Sequence, residues 1–223
     1  MQRYTIIFTC NFMSFSLLLS QVMEEINQDI FNLFDKQPSP SRGTVVVAKP
    51  TVEDLCFKRS VIVMVDHDNE KGSMGVIVNK FTGFTLHDLL PDMENAEEIP
   101  LFLGGPVNPE MMFFLHTLGS DVIPDSIQIA HGLYFGGQYD MMKKYVASGE
   151  PVAGRVKFIL GYSGWGKDQL AGEITRHDWA VLKQADRGML MDEADDQLWR
   201  NAVSQFGDKY RMWLNWPRDV INN

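Results

Sequence analysis

The first half of the chain is a series of short, β-branched apolar segments whose connections are too short to contain a helix. Ser60–Val65 and Met74–Asn79 flank the polar segment Asp66–Gly72, which is the pattern of an antiparallel hairpin. Parallel neighbours need a crossover of about a dozen residues or more, and glycine and proline interrupt this half too often for that. The pattern excludes a uniformly parallel sheet. Further strands are predicted at Thr44–Ala48, Leu101–Leu103, Met111–His116, Ile127–Ala130 and Leu133–Phe135.

Helices and strands alternate in the second half. Helical spacing of apolar residues and the flanking breakers predict three helices, separated by β-branched strands. A short helix is also predicted from Thr85, a suitable N-cap, to just before Pro91. Together with the antiparallel first half, this alternation predicts an α+β fold. The three helices are Tyr139–Ala147, Asp168–Arg176 and Asp195–Phe206, and the strands between them are Arg155–Leu160 and Trp179–Lys183.

Length and charge limit the class of protein. A chain of 223 residues with 45% apolar residues can bury one core without disulfides or a structural metal. Its 20 lysine and arginine residues stand against 29 acidic ones, for a formal charge of -9. This charge repels phosphate backbones, and the sequence has no basic helix-turn-helix segment. We therefore expect no direct binding to nucleic acid.

The N-terminal residues differ in composition from the rest. The apolar run within residues 1–22 is too short and too interrupted to cross a membrane, and the segment Leu19–Val22 offers only a poor small-x-small cleavage site. We interpret residues 1–22 as a doubtful leader or the product of a start codon set too early. Residues 23–42 contain an amphipathic helix at Glu24–Lys36 and a proline-rich linker, and residues 43–223 are expected to form a single domain.

The two cysteines favour a reducing compartment. Cys10 and Cys56 cannot form the disulfide framework of a small secreted domain, so we expect a cytoplasmic protein. Cys56 has no neighbouring base in the sequence and is interpreted as a small apolar residue, not as a reactive thiol. We expect no membrane association.

Four segments together resemble the YqgE/AlgH family of bacterial proteins. Their order and spacing match as a set, and the likeness extends from about Gly43 to Phe206. The resemblance implies a single α+β domain in which a bifurcated β-sheet, mixed or antiparallel, is wrapped into a pseudo-barrel with surrounding helices. It implies no established activity, although some members carry a transcriptional-regulator label. The segments are Asp66–Asp68 with Gly75–Asn79, Leu103–Val107, His131–Tyr134, and Leu160–Gly166 with Gln169 and Leu170.

The segment Gly161–Asp168 resembles two catalytic motifs without completing either. It spells G-x-x-x-x-G-K between a predicted strand and a predicted helix, but a phosphate-binding loop needs serine or threonine where Asp168 stands. A nucleophile elbow around Ser163 needs glycine where Trp165 stands, and hydrolysis also needs a histidine and an acid from elsewhere. We interpret the segment as an exposed glycine-rich turn, a place that often carries binding.

The five histidines show no zinc-binding spacing. His67 lies between Asp66 and Asp68, which suits proton transfer or an oxygen-rich metal site, although a solvated acidic turn is favoured. His116 is interpreted as a histidine at the edge of the core. Gly104 and Gly105 offer backbone N–H groups that could bind an anion, or they form a sharp turn.

These observations favour a non-catalytic cytoplasmic binding or regulatory protein with no cofactor, whose partner is an unknown protein or a small ligand. Two alternatives stay open. One is a hydrolase or metal-dependent enzyme using Ser163 or the Asp66-His67-Asp68 turn, which requires a histidine or carboxylate at Ser163 or three ligands at His67. The other is a transcriptional regulator. The candidate ligand-binding residues are Asp66, His67, Asn79, Gly104, Gly105, Tyr162, Ser163, Gly164, Trp165 and Gly166.

Overall fold

The computed structural model describes residues 37–91, 98–183, 186–191 and 195–217. Contacts divide the chain into two compact units, Met1–Gln37 and Pro38–Asn223, and the second contains every element described below. The predicted leader at residues 1–22 and the predicted helix Glu24–Lys36 lie outside the described residues.

The described residues form an α+β unit of ten strands and short helices. The strands are β1 Val45–Ala48, β2 Val61–Asp68, β3 Gly72–Ile77, β4 Phe81–Thr85, β5 Pro100–Leu103, β6 Val107–His116, β7 Ile127–Ala130, β8 Leu133–Phe135, β9 Val156–Trp165 and β10 Trp179–Leu182. The α-helices are α1 Leu86–Leu89, α2 Tyr139–Ala147, α3 Gln169–Thr175, α4 Arg187–Met191, α5 Asp195–Ser204 and α6 Arg211–Asn215, with a 3-10 turn at Asp208–Tyr210.

The sheet divides at β9, as the resemblance implies. The strand order is β10-β1-β2-β3-β9-β6-β8-β7, and β5 joins β9 as a branch that also carries β4. The first part of β9 pairs with β6 and, in parallel, with β5. Its last part leaves β5 and pairs with β3 at Ser163–Trp165. The β5–β9 pair is the parallel one among the described strands, and the other pairs are antiparallel, so the sheet is mixed and bifurcated.

The half of the sheet from β10 to β9 is strongly curved. Three strands separate β9 from β10, which in a flat sheet would place them roughly 19 Å apart at normal strand spacing. The ring centroids of Trp165 on β9 and Trp179 on β10 are nevertheless 6.0 Å apart. Leu170 and Ile174 of α3 pack into the resulting concavity with Val46 and Ile62. The two ends therefore meet through side chains, without a closed hydrogen-bonded ladder between the described strands.

Two further packing layers complete the unit. Helix α2 buries Met142 and Val146 against Leu101, Phe114 and other residues of the second half of the sheet. Helix α5 lies against β1 and β2 and places Trp199 in the core, where its indole N–H donates to the carbonyl of Ala48 at 2.8 Å. No helix within the described ranges has both the length and the apolar character that a membrane span requires.

The structure corrects the predicted end of β9. The sequence predicts a strand over Arg155–Leu160 and then a turn, but β9 runs on to Trp165. Gly161 has a φ of +68°, which allows the backbone to bend at an irregularity in the β6–β9 register before pairing resumes with β3. The pairing partner that keeps this glycine-rich segment extended is distant in sequence, so local propensity could not identify it.

The first hairpin is also tighter than predicted. Strand β2 continues through Asp68 and β3 begins at Gly72, so Asp66 and His67 are strand residues. Helices α4 and α6 were not predicted, because each is only five residues long and depends on tertiary packing.

Candidate functional site

A cleft opens where α3 crosses from the end of β9 to the start of β10. Its volume is about 380 Å³, within the size range of small-ligand sites. Aromatic side chains, two cations and two carboxylates converge there from segments far apart in sequence. The lining residues are Lys49, Thr51, Val52, Phe57, Gly164, Trp165, Gln169, Glu173, Arg176, Asp178 and Trp179.

Strand register brings together the first pair of charged residues. Ala48, the last residue of β1, lies opposite Trp179, the first residue of β10. Because the strands are antiparallel, Lys49 and Asp178 continue this pairing, and the Lys49 backbone N–H donates to the Asp178 carbonyl at 3.1 Å. The Lys49 ammonium also donates to Asp178 Oδ1 at 2.8 Å, with both side chains about one-quarter exposed.

Helix α3 supplies the polar floor of the cleft. Gln169 and Glu173 are four residues apart and so lie on one face of the helix. Glu173 Oε2 accepts hydrogen bonds from the indole N–H groups of Trp165 and Trp179, each at 2.8 Å. Glu173 Oε1 accepts from Gln169 Nε2 at 3.0 Å. One carboxylate therefore links the two ends of the curved half-sheet through both indoles.

The aromatic rings form a rigid wall. Trp165 and Trp179 are edge to face, and Phe57 packs edge to face on Trp179 with centroids 5.7 Å apart. Buried edge-to-face pairs contribute about 0.5–1.5 kcal/mol beyond their buried area. Phe57 is only half-buried, so the wall offers an apolar surface to a ligand.

Arg176 completes the rim of the cleft. It ends α3, and His177, with a φ of +57°, turns the chain sharply towards β10. Arg176 Nε donates to Asp178 Oδ2 at 3.3 Å, so two cations share the one carboxylate of Asp178. An apolar wall beside fixed polar groups is suited to holding an amphipathic molecule in one orientation.

Comparisons with known proteins agree with this architecture. The AlgH-like family matches residues 45–211, a range that contains the whole cleft. The chain belongs to the AlgH-like family. A UPF0301 protein of Bacteroides fragilis is 40% identical over 193 residues, covering 86% of this chain and 96% of the relative. One of Parabacteroides distasonis is 38% identical over 196 residues, covering 88% and 98% respectively.

Two solved structures have a similar fold. The solution structure of the AlgH protein from Pseudomonas aeruginosa has a TM-score of 0.62 at 26% identity, covering 83% of this chain and 100% of that one. A crystal structure of a Corynebacterium diphtheriae protein has a TM-score of 0.68 at 20% identity, covering 82% and 96%, and it supports the fold alone.

In this AlgH-like chain, three of the predicted site residues, Asn79, Gly104 and Ser163, have polar groups engaged within the fold. The Asn79 amide accepts from Val61 N–H at 2.8 Å and donates to the Arg59 carbonyl at 2.9 Å. The buried Ser163 hydroxyl donates to the Gly104 carbonyl at 3.0 Å. A Cβ at Gly105 would overlap the backbone of Tyr162, so this glycine permits close approach of β9. Ligand binding by these residues stays a prediction.

The surroundings of Ser163 give no support to a hydrolase. Within the described ranges, neither a histidine nor a carboxylate makes a hydrogen bond to the Ser163 hydroxyl. Its hydrogen-bonding geometry is that of a residue that fixes β9 against the Gly104 segment.

Substitution of Ser163 tests that structural role. We expect Ser163→Ala to lower the free energy of unfolding by about 1 kcal/mol, the usual value of one hydrogen bond, in urea denaturation. The loss is limited because the Gly104 carbonyl keeps its hydrogen bond from Ile77 N–H. Unchanged stability together with the loss of an esterase activity would contradict this assignment.

The hairpin candidates lie on a different part of the surface. His67 Nδ1 is 2.7 Å from the Ser73 hydroxyl, and Nε2 is 3.2 Å from the Asn69 amide oxygen. Because that oxygen can only accept, Nε2 carries the hydrogen and Nδ1 accepts from Ser73 in the neutral ring. Asp66 pairs with Arg42, and backbone N–H groups of Glu70 and Lys71 hold the pKa of Asp68 below its usual value.

These hairpin side chains do not form a recognisable cation site. Among the described residues, no group of three or more histidine, cysteine, aspartate or glutamate side chains is placed so that it could hold a metal ion. The Asp68 carboxylate accepts hydrogen bonds from the backbone N–H groups of Glu70 and Lys71, which is the geometry of an acidic turn.

The remaining candidates fall in or beside the cleft. Gly164 and Trp165 line it directly, and the Gly166 N–H donates to Gln169 Oε1 at 3.0 Å. Tyr162 is on the neighbouring part of β9, where its ring packs edge to face on Phe113.

Burial raises the pKa of the Cys56 thiol, with a further contribution from Asp54, so this cysteine has little thiolate character.

Most residues that line the cleft of this AlgH-like protein were not predicted from its sequence. Gln169 and Glu173 carry a detectable signal, since two polar residues at helical spacing follow a tryptophan that needs an indole acceptor. Lys49 and Asp178 carry none, because they are 129 residues apart and only the β1–β10 register joins them.

Proposed function

We propose that this chain is a non-catalytic, cytoplasmic binding protein of regulatory type that holds a small ligand in the cleft between Phe57, Trp165 and Trp179. The observation that carries the proposal is the Glu173 carboxylate, which accepts both indole N–H groups and Gln169. These hydrogen bonds preorganise the aromatic wall before any ligand arrives, and preorganisation lowers the entropic cost of binding.

Several properties of the described residues favour binding over catalysis. The carboxylates of the cleft are engaged with neighbouring donors, and the described residues place no serine, cysteine or histidine beside a general base there. The domain carrying the cleft is proposed to extend over residues 43–223. A cytoplasmic location rests on the use of cysteine, and direct DNA binding is disfavoured by the charge of -9.

Fluorine NMR provides the test. The chain has 5 tryptophans, so uniform labelling with fluorotryptophan gives one signal for each, assigned by single Trp→Phe variants. We expect the low-molecular-mass fraction of a native host extract to shift the signals of Trp165 and Trp179 and to leave those of Trp199, Trp213 and Trp216 in place.

A pair of matched variants makes the test specific. Phe57→Ala removes part of the apolar wall and should abolish the shifts at the same extract concentration. Phe81→Ala, at a half-exposed phenylalanine outside the cleft, should preserve them. An extract that shifts none of the five signals, or only those outside the cleft, would contradict the proposal.

A further inference from the structure

We propose that the ligand of this cleft is a small organic carboxylate whose apolar body is about the size of one aromatic ring. This inference rests on the proposed function and adds the chemical class of the ligand. It is carried by an imbalance in the cleft, where the carboxylate acceptors are largely engaged and several donors at the rim are not.

The acceptors of the cleft are largely occupied. Glu173 receives three N–H donors, two on Oε2 and one on Oε1. Each carboxylate oxygen of Asp178 receives a cation, Lys49 on Oδ1 and Arg176 on Oδ2. A ligand that offers mainly donors, such as an amine, would have to displace these internal partners.

Several hydrogen-bond donors at the rim of the cleft have no acceptor among the described residues and can donate to a ligand. Arg176 uses only Nε, and its terminal guanidinium nitrogens make no hydrogen bond to any described residue. One of the three N–H groups of the Lys49 ammonium donates to Asp178. The exposed Thr51 hydroxyl has no hydrogen-bond partner within the described ranges. An arginine has five N–H donors and a lysine three, so the rim presents a surplus of positively charged donors.

The rim of the cleft carries more cations than carboxylates. Lys49 and Arg176 both pair with the single carboxylate of Asp178, which leaves one positive charge uncompensated among these three residues. Glu173, the other carboxylate of the cleft, lies on the floor and accepts only from neutral groups, so the formal charge of the whole cleft is zero and the positive surplus is confined to the rim. The Arg176 side chain is 64% exposed, so its outer edge can approach a ligand without desolvating a buried charge. A guanidinium edge binds a carboxylate through two parallel hydrogen bonds, which fixes orientation as well as charge.

The remaining part of the cleft is apolar. Val52, Phe57 and Trp179 line it beside the charged rim, within the total volume of about 380 Å³. A ring-sized apolar group can pack edge to face or stacked on Phe57 while its carboxylate reaches Arg176. The ligand is therefore an amphipathic anion, with one apolar end and one oxyanionic end.

Three probes of similar size test the class, and phenyl phosphate serves as a fourth that carries a different oxyanion. Phenylacetate, phenylacetamide and phenethylamine share a ring and differ in the charge of the polar end. We expect phenylacetate to shift the fluorotryptophan signals of Trp165 and Trp179 with a dissociation constant of about 1 mM, a normal affinity for a ligand of this size. The amide should bind at least tenfold more weakly, and the amine should not bind detectably.

Two charge variants test whether Arg176 binds the carboxylate of the ligand. Arg176→Gln should weaken phenylacetate binding at least tenfold. Arg155→Gln removes the same charge from an exposed residue outside the cleft and should leave the dissociation constant unchanged. Equal weakening by both variants would show a general electrostatic effect and overturn the proposal, as would tighter binding of the amine or of phenyl phosphate than of phenylacetate.

The extract experiment separates this inference from the function on which it rests. If phenylacetate shifts no tryptophan signal while the host extract shifts Trp165 and Trp179, the carboxylate assignment is wrong and the cleft is still a ligand site. If neither the probe nor the extract shifts those signals, both proposals fail.

Discussion

Replacing Arg59 with methionine should lower the free energy of unfolding by about 3 kcal/mol. Arg59 is 5% exposed and connects the loop before β2 to the C-terminal helices. Its guanidinium donates to Asp196 Oδ1 at 3.1 Å and to the Trp216 carbonyl at 2.6 Å. It also lies 4.7 Å from the ring centroid of Trp199. Methionine keeps the apolar stem but leaves the Asp196 carboxylate and the Trp216 carbonyl without their donor.

Urea denaturation of the full chain measures this loss, and Arg42→Met is the matched control. Arg42 pairs with Asp66 at 2.9 Å, but both side chains are about half exposed or more, so its replacement should cost less than about 1 kcal/mol. Limited proteolysis should cleave the segment from α5 to α6 faster in Arg59→Met. Equal losses in the two variants would show that Arg59 does not anchor the C-terminal helices.

Stability should fall as the pH is lowered from 6.5 to 4, and His116 should account for about 3 kcal/mol of the fall. The His116 side chain is completely buried and stacks on Tyr134. Nε2 donates to the Gly136 carbonyl, while Nδ1 is buried without a hydrogen-bond partner among the described residues. Protonation would add an N–H at Nδ1 with no acceptor.

The direction follows from the two protonation states. Burial lowers the pKa of His116 from 6.5 to about 4 in the folded chain, with a smaller opposing contribution from the Gly136 carbonyl. Between these values the unfolded chain binds the proton and the folded chain does not. The contribution of His116 is therefore complete above pH 6.5 and is lost as the pH falls towards 4.

A difference between variants isolates this histidine from the carboxylates. His116→Gln retains a donor for Gly136 and cannot titrate, so its stability should be nearly flat over this range. His131→Gln, at an exposed histidine, should retain the wild-type slope. Asp68 and Asp88 affect stability only at lower pH, because the folded chain lowers the pKa of each carboxyl group. The stability that each carboxylate contributes is lost as the pH falls through that lowered pKa. An unchanged slope in His116→Gln would refute the assignment.

Local sequence patterns predicted most elements of the fold correctly. Helix α2 matches its predicted bounds of Tyr139–Ala147, because its apolar spacing and the Gly149 that follows are both local signals. Thr85 begins α1, where the Asp88 carboxylate accepts from the Thr85 backbone N–H and hydroxyl. Membership of the AlgH-like family was also evident from the spacing of four short segments.

The candidate site was only partly predictable. Gly164 and Trp165, which line the cleft, were among the predicted binding residues because glycine beside tryptophan is a conspicuous local pattern, although the supposed turn is the end of β9. Ligand binding by these two residues stays a prediction. Glu173 was overlooked, since an acid in a surface helix normally faces solvent. Its contacts with two indoles exist only because the half-sheet curls far enough to bring β9 to β10.

Capping, periodicity and turn chemistry act over a few residues, so local sequence was enough to predict the order and type of most elements, but not the short helices α4 and α6. Which ends of the sheet meet depended on tertiary packing. Strand register brought Lys49 to Asp178, and the curvature of the sheet brought Trp165 to Trp179. The hydrogen bonds that the Glu173 carboxylate accepts depend on both. Register and curvature depend on packing summed over many distant residues, so no local pattern encodes the cleft.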